Sequence, residues 1–166
     1  FEDALVDLGT LLGFKTKNSK ENSAPDPWIF IDGHTVIVSE VKILKQDNDI
    51  SKSHIQELNG HKKWLINSKS TPNIDNTTNI QSVLISNSRS IKTDARTFIS
   101  KESLYLNSHD IIKVASQALI SIEPIYTEYK GSGDILWLDE AAKKISNSNF
   151  SSDKILHSLT TKLDTL

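Results

Sequence analysis

Two carboxylates and an amine bracket one short apolar stretch, APDPWIFIDGHTVIVSEVK, at residues 24–42. A tight turn centred on Gly33 would set Ile31 opposite Thr35 and Asp26 opposite Glu40. Directly opposed residues in an antiparallel pair share a face, and residues two apart in a strand do too. That register gathers Asp26, Glu40 and Lys42 into one cluster. A slip of one residue would scatter them unless a bulge compensates, and Pro27 invites such an irregularity. Two neighbouring carboxylates repel unless a cation lies between them. Oxygen ligands suit a hard ion such as Mg²⁺, which takes one or two carboxylates and fills its shell with water and substrate phosphate. Such an ion polarises a phosphate oxygen and acidifies bound water. Lys42 alongside would orient or deprotonate that water, or stabilise charge developing on the phosphorus centre. These are the parts of a phosphodiester hydrolase.

The surrounding elements must bring the cluster together. FEDALVDLGTLLGF places Phe1, Leu5, Leu8, Leu11 and Leu12 at helical spacing, and Gly13 marks its end. KTKNSKENSAPDP is polar and carries two prolines, so it is expected to be loop. WIFI and TVIVSEVKI are aromatic and β-branched, which predicts a hairpin whose second strand is central. DISKSHIQELNGHKKWLIN reads as a helix weakened at Gly60. SKSTPNIDNTTN reads as polar loop, and IQSVLISN as a strand. LYLN followed by SHDIIKVASQALISI reads as a short strand and a helix, and DILWLDEAAKKIS and SSDKILHSLTTKL as C-terminal helices. Strands interleaved with helices predict an α/β fold with a mixed central sheet flanked by helices.

Pro25-Asp26, followed by Glu40-Val41-Lys42 at the end of the next strand, resembles the PD-(D/E)xK motif of the restriction-endonuclease-like nuclease superfamily. The resemblance covers about residues 1–120. It implies an αβββαβ-type core at residues 1–122, with the extra helices of 123–166 packed on the same domain. It implies a metal-dependent nuclease, most simply a DNA endonuclease or nuclease domain of a restriction, defence or repair protein. Asp26 and Glu40 would hold Mg²⁺ or Mn²⁺. Many members add a glutamate from the first helix, which Glu2 matches, with Asp3 and Asp7 as substitutes. Several add a polar residue, often Gln, on the helix after the ExK strand. Gln56 matches it, with His61 and Lys62 as weaker candidates. One departure is that only WIFI and a tight turn separate the motif halves, where the superfamily often has a further strand. The alternative is a catalytically inactive nucleic-acid- or protein-binding module on the same fold.

Composition bounds these expectations. With 166 residues, 37% hydrophobic and 24% charged, the chain is long enough for one globular domain with a sizeable core. Its apolar runs are too short to span a bilayer, and a cytoplasmic protein with no membrane partner is expected. The chain opens on Phe1, so a longer protein, a further domain or a homodimer is an expectation. The absence of cysteine excludes disulfides and thiolate metal sites. The five histidines form no HxxxH pair that would suit zinc. No GxSxG element or Cys nucleophile exists, so acyl transfer has no support. The net charge of −2 hides basic stretches. Residues 42–69 carry six lysines against three acids, and residues 89–101 carry Arg89, Lys92, Arg96 and Lys101 against Asp94. Such stretches suit a phosphate backbone, DNA or, equally, RNA, whose 2′-hydroxyl recognition has no short signature.

Overall fold

A computed structural model describes residues 1–31, 33–45, 48–68, 74–75, 77–147 and 160–166. They divide into two compact units, residues 1–108 with 160–166, and residues 109–159. The first unit runs α1 (Glu2–Leu11), β1 (Lys15–Lys17), β2 (Trp28–Phe30), β3 (Thr35–Lys42), α2 (Lys52–Asn67), β4 (Asn79–Ser86), α3 (Thr93–Arg96) and β5 (Leu104–Asn107). It closes with β6 (Thr160–Lys162) and a 3₁₀ turn, Leu163–Thr165. The strands form one mixed sheet in the order β1-β2-β3-β4-β5-β6. β1, β2 and β3 form an antiparallel meander, β3, β4 and β5 are parallel, and β6 is antiparallel to β5. Sequence order therefore gives an α/β protein with a mixed sheet and helices alongside it.

β3 sits at the centre because its sequence has no solvent face to offer. Val36 and Val38 are wholly buried and Val41 is nearly so. On one face, Val36, Val38, Trp28 and Ile80 pack with Leu65 of α2. Further along, Ile55 and Leu58 of α2 pack with Leu84, Tyr105, Ile91 and Leu163. Each large aliphatic side chain buried there contributes about 1.5–3 kcal/mol against exposure. The other face carries Thr16, Ile29 and Ile37, which lie opposite one another across β1, β2 and β3. α1 closes on this face through Gly9, whose missing Cβ leaves room for the Thr16 methyl and the Ile29 side chain.

Three expectations change. The stretch expected to be loop contains β1, a strand of three residues at the sheet edge, flanked by lysines that discourage further pairing. Thr16 anchors it by donating to the Val6 carbonyl at 3.0 Å. The expected final helix does not extend to its end, because residues 160–162 pair with β5 and Leu163 enters the core. The earlier part of that helix, residues 151–159, lies outside the described residues, as do Asp32 of the hairpin turn and residues 69–73 and 76 of the expected loop. The expected domain division at 122/123 falls inside α4 (Ser108–Thr127).

The second unit holds most of α4, and α5 (Ile135–Asn147). Pro124 lies in the last turns of α4, and the Trp137 indole of α5 donates to the Ile125 carbonyl at 2.9 Å. Tyr129 stacks on Trp137 with ring centroids 4.7 Å apart. Among the described residues no helix is long and apolar enough to cross a membrane.

The close approach at Gly9 makes a specific demand. Gly9→Val drives a branched side chain into Thr16, and is expected to cost about 1–3 kcal/mol of stability. Urea unfolding measures this, and Thr16→Ser in the same chain, by removing the obstructing methyl, is expected to recover part of the loss.

Candidate active site

The register of the β2–β3 hairpin decides whether the charged residues meet. Trp28 lies opposite Val38, Ile29 opposite Ile37 and Phe30 opposite Val36. At the turn end, Ile31 donates to the Thr35 carbonyl at 3.0 Å. Carried the other way without interruption, the same register would set Asp26 opposite Glu40. Pro27 interrupts the ladder there, having no N–H to give. The Ser39 carbonyl instead accepts from the Asp26 N–H at 2.7 Å, while Ser39 N–H donates to the Pro27 carbonyl at 3.1 Å. The Ser39 hydroxyl reaches the Asp26 and Pro27 carbonyls at 2.7 and 2.6 Å. Residues 26 and 27 thus face Ser39 together, a bulge-like arrangement that leaves Asp26 near Glu40.

Glu40 is the buried centre, with 2% of its surface exposed. One carboxylate oxygen meets the Lys42 ammonium and the other meets His61 Nε2. Burial alone would raise the Glu40 pKa, but the bonds from His61 and Lys42 outweigh it and hold the carboxyl below its usual range. His61 on α2 is equally buried, and its Nδ1 faces the Ser23 carbonyl at 3.3 Å. An ionised carboxylate only accepts, so Nε2 carries the hydrogen of the bond to Glu40.

Lys42 also reaches Glu57 of α2 at 2.9 Å. Burial pulls the Lys42 pKa down, but its bonds to Glu40 and Glu57 prevail and hold it above the ordinary lysine value. Lys42 is therefore an ammonium here, suited to orienting water or stabilising a phosphate and not to taking a proton. His54, three residues before Glu57, accepts the Ser51 N–H through Nδ1 at 3.2 Å. Burial, then the Lys42 charge, lower its pKa, and Lys92 contributes in the same direction.

Asp26 has the opposite fate from Glu40. Burial, then the charges of Glu40 and Glu2, push its pKa from 3.8 up to about 6, against smaller opposing contributions from Lys42 and His61. Glu2, in the first turn of α1, accepts from the Asn18 amide at 3.2 Å. Asp3 and Asp7 are exposed, so of the three acids on α1 only Glu2 is shown acting on Asp26. Gln56 is exposed, about 100° around the helix from Glu57. Lys62 is also exposed and pairs at 4.0 Å with Glu102.

Asp26 thus feels the charges of Glu40, Glu2 and Lys42. His61 supplies the bond from α2 for which Gln56 was first in line. Glu57 and Ser39 were not anticipated. Glu57 and His61 are one helical turn apart, and His61 occupies a place on the buried stripe of Ile55, Leu58 and Leu65. A histidine on an apolar stripe was the available signal that a polar partner lay beneath it.

Oxygen donors of this kind fit a hard cation. Among the described residues, however, no three His, Cys, Asp or Glu side chains are grouped as a metal site. Glu40 has both oxygens engaged by Lys42 and His61, while the charges of Glu40 and Glu2 outweigh those opposing them at Asp26. An added cation would therefore fit on the Asp26 side, where Glu2 also contributes negative charge.

No protein-family model, curated protein or solved structure matches the chain.

The raised Asp26 pKa has a defined sign in stability. Between pH 3.8 and about 6 the folded state retains a proton that the unfolded state has released, so this group's contribution falls as pH rises through that window. Asp26→Asn removes the penalty and keeps the backbone bond to Ser39. Stabilisation by about 1 kcal/mol is expected at pH 7.5, discounted for solvent screening, and none below pH 4. Urea denaturation at the two pH values checks it.

Proposed function

We propose that the chain is a metal-dependent nuclease that hydrolyses phosphodiester bonds, with DNA as the expected substrate. The observation that carries this reading is the charge cluster at the open end of the hairpin, where Asp26 feels the charges of Glu40 and Glu2 and Lys42 is bonded to Glu40. The element order α1-β1-β2-β3-α2-β4 supports it as an αβββαβ-type order, with β1 lying before Asp26 and the motif halves still separated by β2 and a turn alone. Asp26, with Glu2 and one oxygen of Glu40, would hold Mg²⁺ or Mn²⁺. When bound, that ion would supply Lewis-acid activation of the phosphate and of a water molecule. The chain's own work is to hold the carboxylates together, to keep Lys42 charged, and to direct its ammonium towards charge that builds on the phosphate.

Basic side chains beside Lys42 would carry the flanking backbone. Ile50 and Ile91 form a parallel bridge, and Lys92 donates its N–H to the Ile50 carbonyl at 3.0 Å. Lys52 and Lys92, both exposed, therefore flank one seam, and the Lys92 charge reaches His54 next to Lys42. Such contacts position a phosphate backbone without reading its sequence. The second reading, an inactive binding module, is favoured by one observation, namely that Lys42 and His61 already engage both Glu40 oxygens.

Incubation with plasmid and linear DNA in Mg²⁺ or Mn²⁺ is the test. Cleavage is expected to need the ion and to fall at least about a hundredfold in Asp26→Ala and in Lys42→Ala. Cleavage that survives both substitutions overturns the assignment. DNA affinity without ion binding or cleavage favours the inactive module. In a salt titration of DNA binding, Lys52→Ala and Lys92→Ala are each expected to lower the slope of log K against log salt by about 1, for any DNA sequence.

A further inference from the structure

The two halves of the motif reach the site by different routes. Glu40 and Lys42 stand on a central strand buried on both sides. Asp26 comes from the segment before β2, which has no strand pairing of its own until Trp28. That segment turns sharply. Ala24 donates to the Glu21 carbonyl at 3.1 Å, and Ser23 adopts φ of 64°, a left-handed conformation unusual for a residue with a side chain. Such strain persists only where surrounding contacts hold it. Ala24, Pro25 and Pro27 are buried, and the Ser23 carbonyl meets His61. The same imidazole bonds Glu40 on its other side.

The geometry points to His61 as the positioning residue of this site, a clamp that ties the Asp26-bearing loop to Glu40 through its two ring nitrogens. It is buried, so in this role it acts through Glu40 and the loop and not on substrate itself. It sets their separation, and thus the pocket into which a divalent ion would fit. The functional part of this inference rests on the nuclease reading, whereas the tether itself does not.

Three substitutions separate the two bonds. His61→Leu removes both. His61→Asn keeps an N–H near the position of Nδ1, facing Ser23, and His61→Gln keeps one near that of Nε2, facing Glu40. Amide hydrogen exchange of the metal-free protein reports the tether. In His61→Leu, the Ala24 and Asp26 amides are expected to exchange about tenfold faster or more, with β4 amides unchanged, and His61→Asn is expected to restore their protection. Mn²⁺ binding, followed by its paramagnetic resonance, reports the pocket. Affinity is expected to fall about 10- to 100-fold in His61→Leu and to recover in part in His61→Gln. Unchanged loop exchange in His61→Leu overturns the clamp. A loosened loop with wild-type Mn²⁺ affinity overturns its positioning role and leaves the nuclease reading standing. Absence of Mn²⁺ binding by the unsubstituted protein overturns the nuclease reading, and the exchange experiment still decides the tether.

Discussion

A buried carboxylate must be met by positive charge or lose its own. Glu40 sits in the middle of the sheet with almost no contact with solvent, so its ionisation depends on what surrounds it. Two hydrogen-bonding partners answer that requirement, the Lys42 ammonium from its own strand and His61 from the helix packed above. The apolar stripe of α2 fixes where the helix lies, and His61 fixes where it stands along β3. Lys42 is in turn fixed from above by Glu57, so strand and helix are joined by alternating charges. The polar site and the hydrophobic core are therefore parts of one packing solution, and neither can shift alone.

Asp26 and Glu40 illustrate how place and not chemistry decides the behaviour of like groups. Both are carboxyls on one face of a hairpin, yet one is held ionised and the other is driven towards its neutral form. The difference lies in their partners. Glu40, Lys42, Glu57 and His61 form a chain of paired groups. Asp26 and Glu2 are left as an excess of negative charge at its edge. Paired groups whose environments drive their pKa values apart are a recurring sign of chemistry. The excess also locates where an external cation gains most from binding.

Much of this was legible because β-strands obey a two-residue period. The hydrophobic run of TVIVSEVK announced a central strand, and Gly33 in a short turn fixed the partner of each residue. From that register Asp26 was expected opposite Glu40, whereas the bulge at residues 26 and 27 sets it against Ser39 and still within the electrostatic reach of Glu40. β1 escaped notice because three residues alternating Lys-Thr-Lys carry no hydrophobic signal, and an edge strand needs none. The terminal strand escaped because Thr160, Thr161 and Lys162 earn their conformation from β5, not from their own propensity. Glu57 and His61 were hidden for a different reason. Which side of a helix faces a charged strand end depends on how helix and sheet dock, and spacing along one element cannot supply that angle. Ser39 was equally hidden, since its hydroxyl serves the Asp26 and Pro27 carbonyls only once the bulge brings both to face it.

The return of residues 160–166 to the sheet has a consequence for the order of events in folding. β6 and Leu163 complete a core whose other members all precede residue 109. During synthesis the hairpin, α2 and β4 emerge first, and their contacts are short in sequence apart from the crossover. The far edge of β5 must then wait while the whole second unit is made. Until the last strand arrives, β5 offers an open row of backbone donors and acceptors, and Leu163's place in the core is vacant. The candidate site residues belong to the early portion. Pairing β6 with β5 closes a far longer loop than the β2–β3 turn does, and so carries the larger loop-closure entropy.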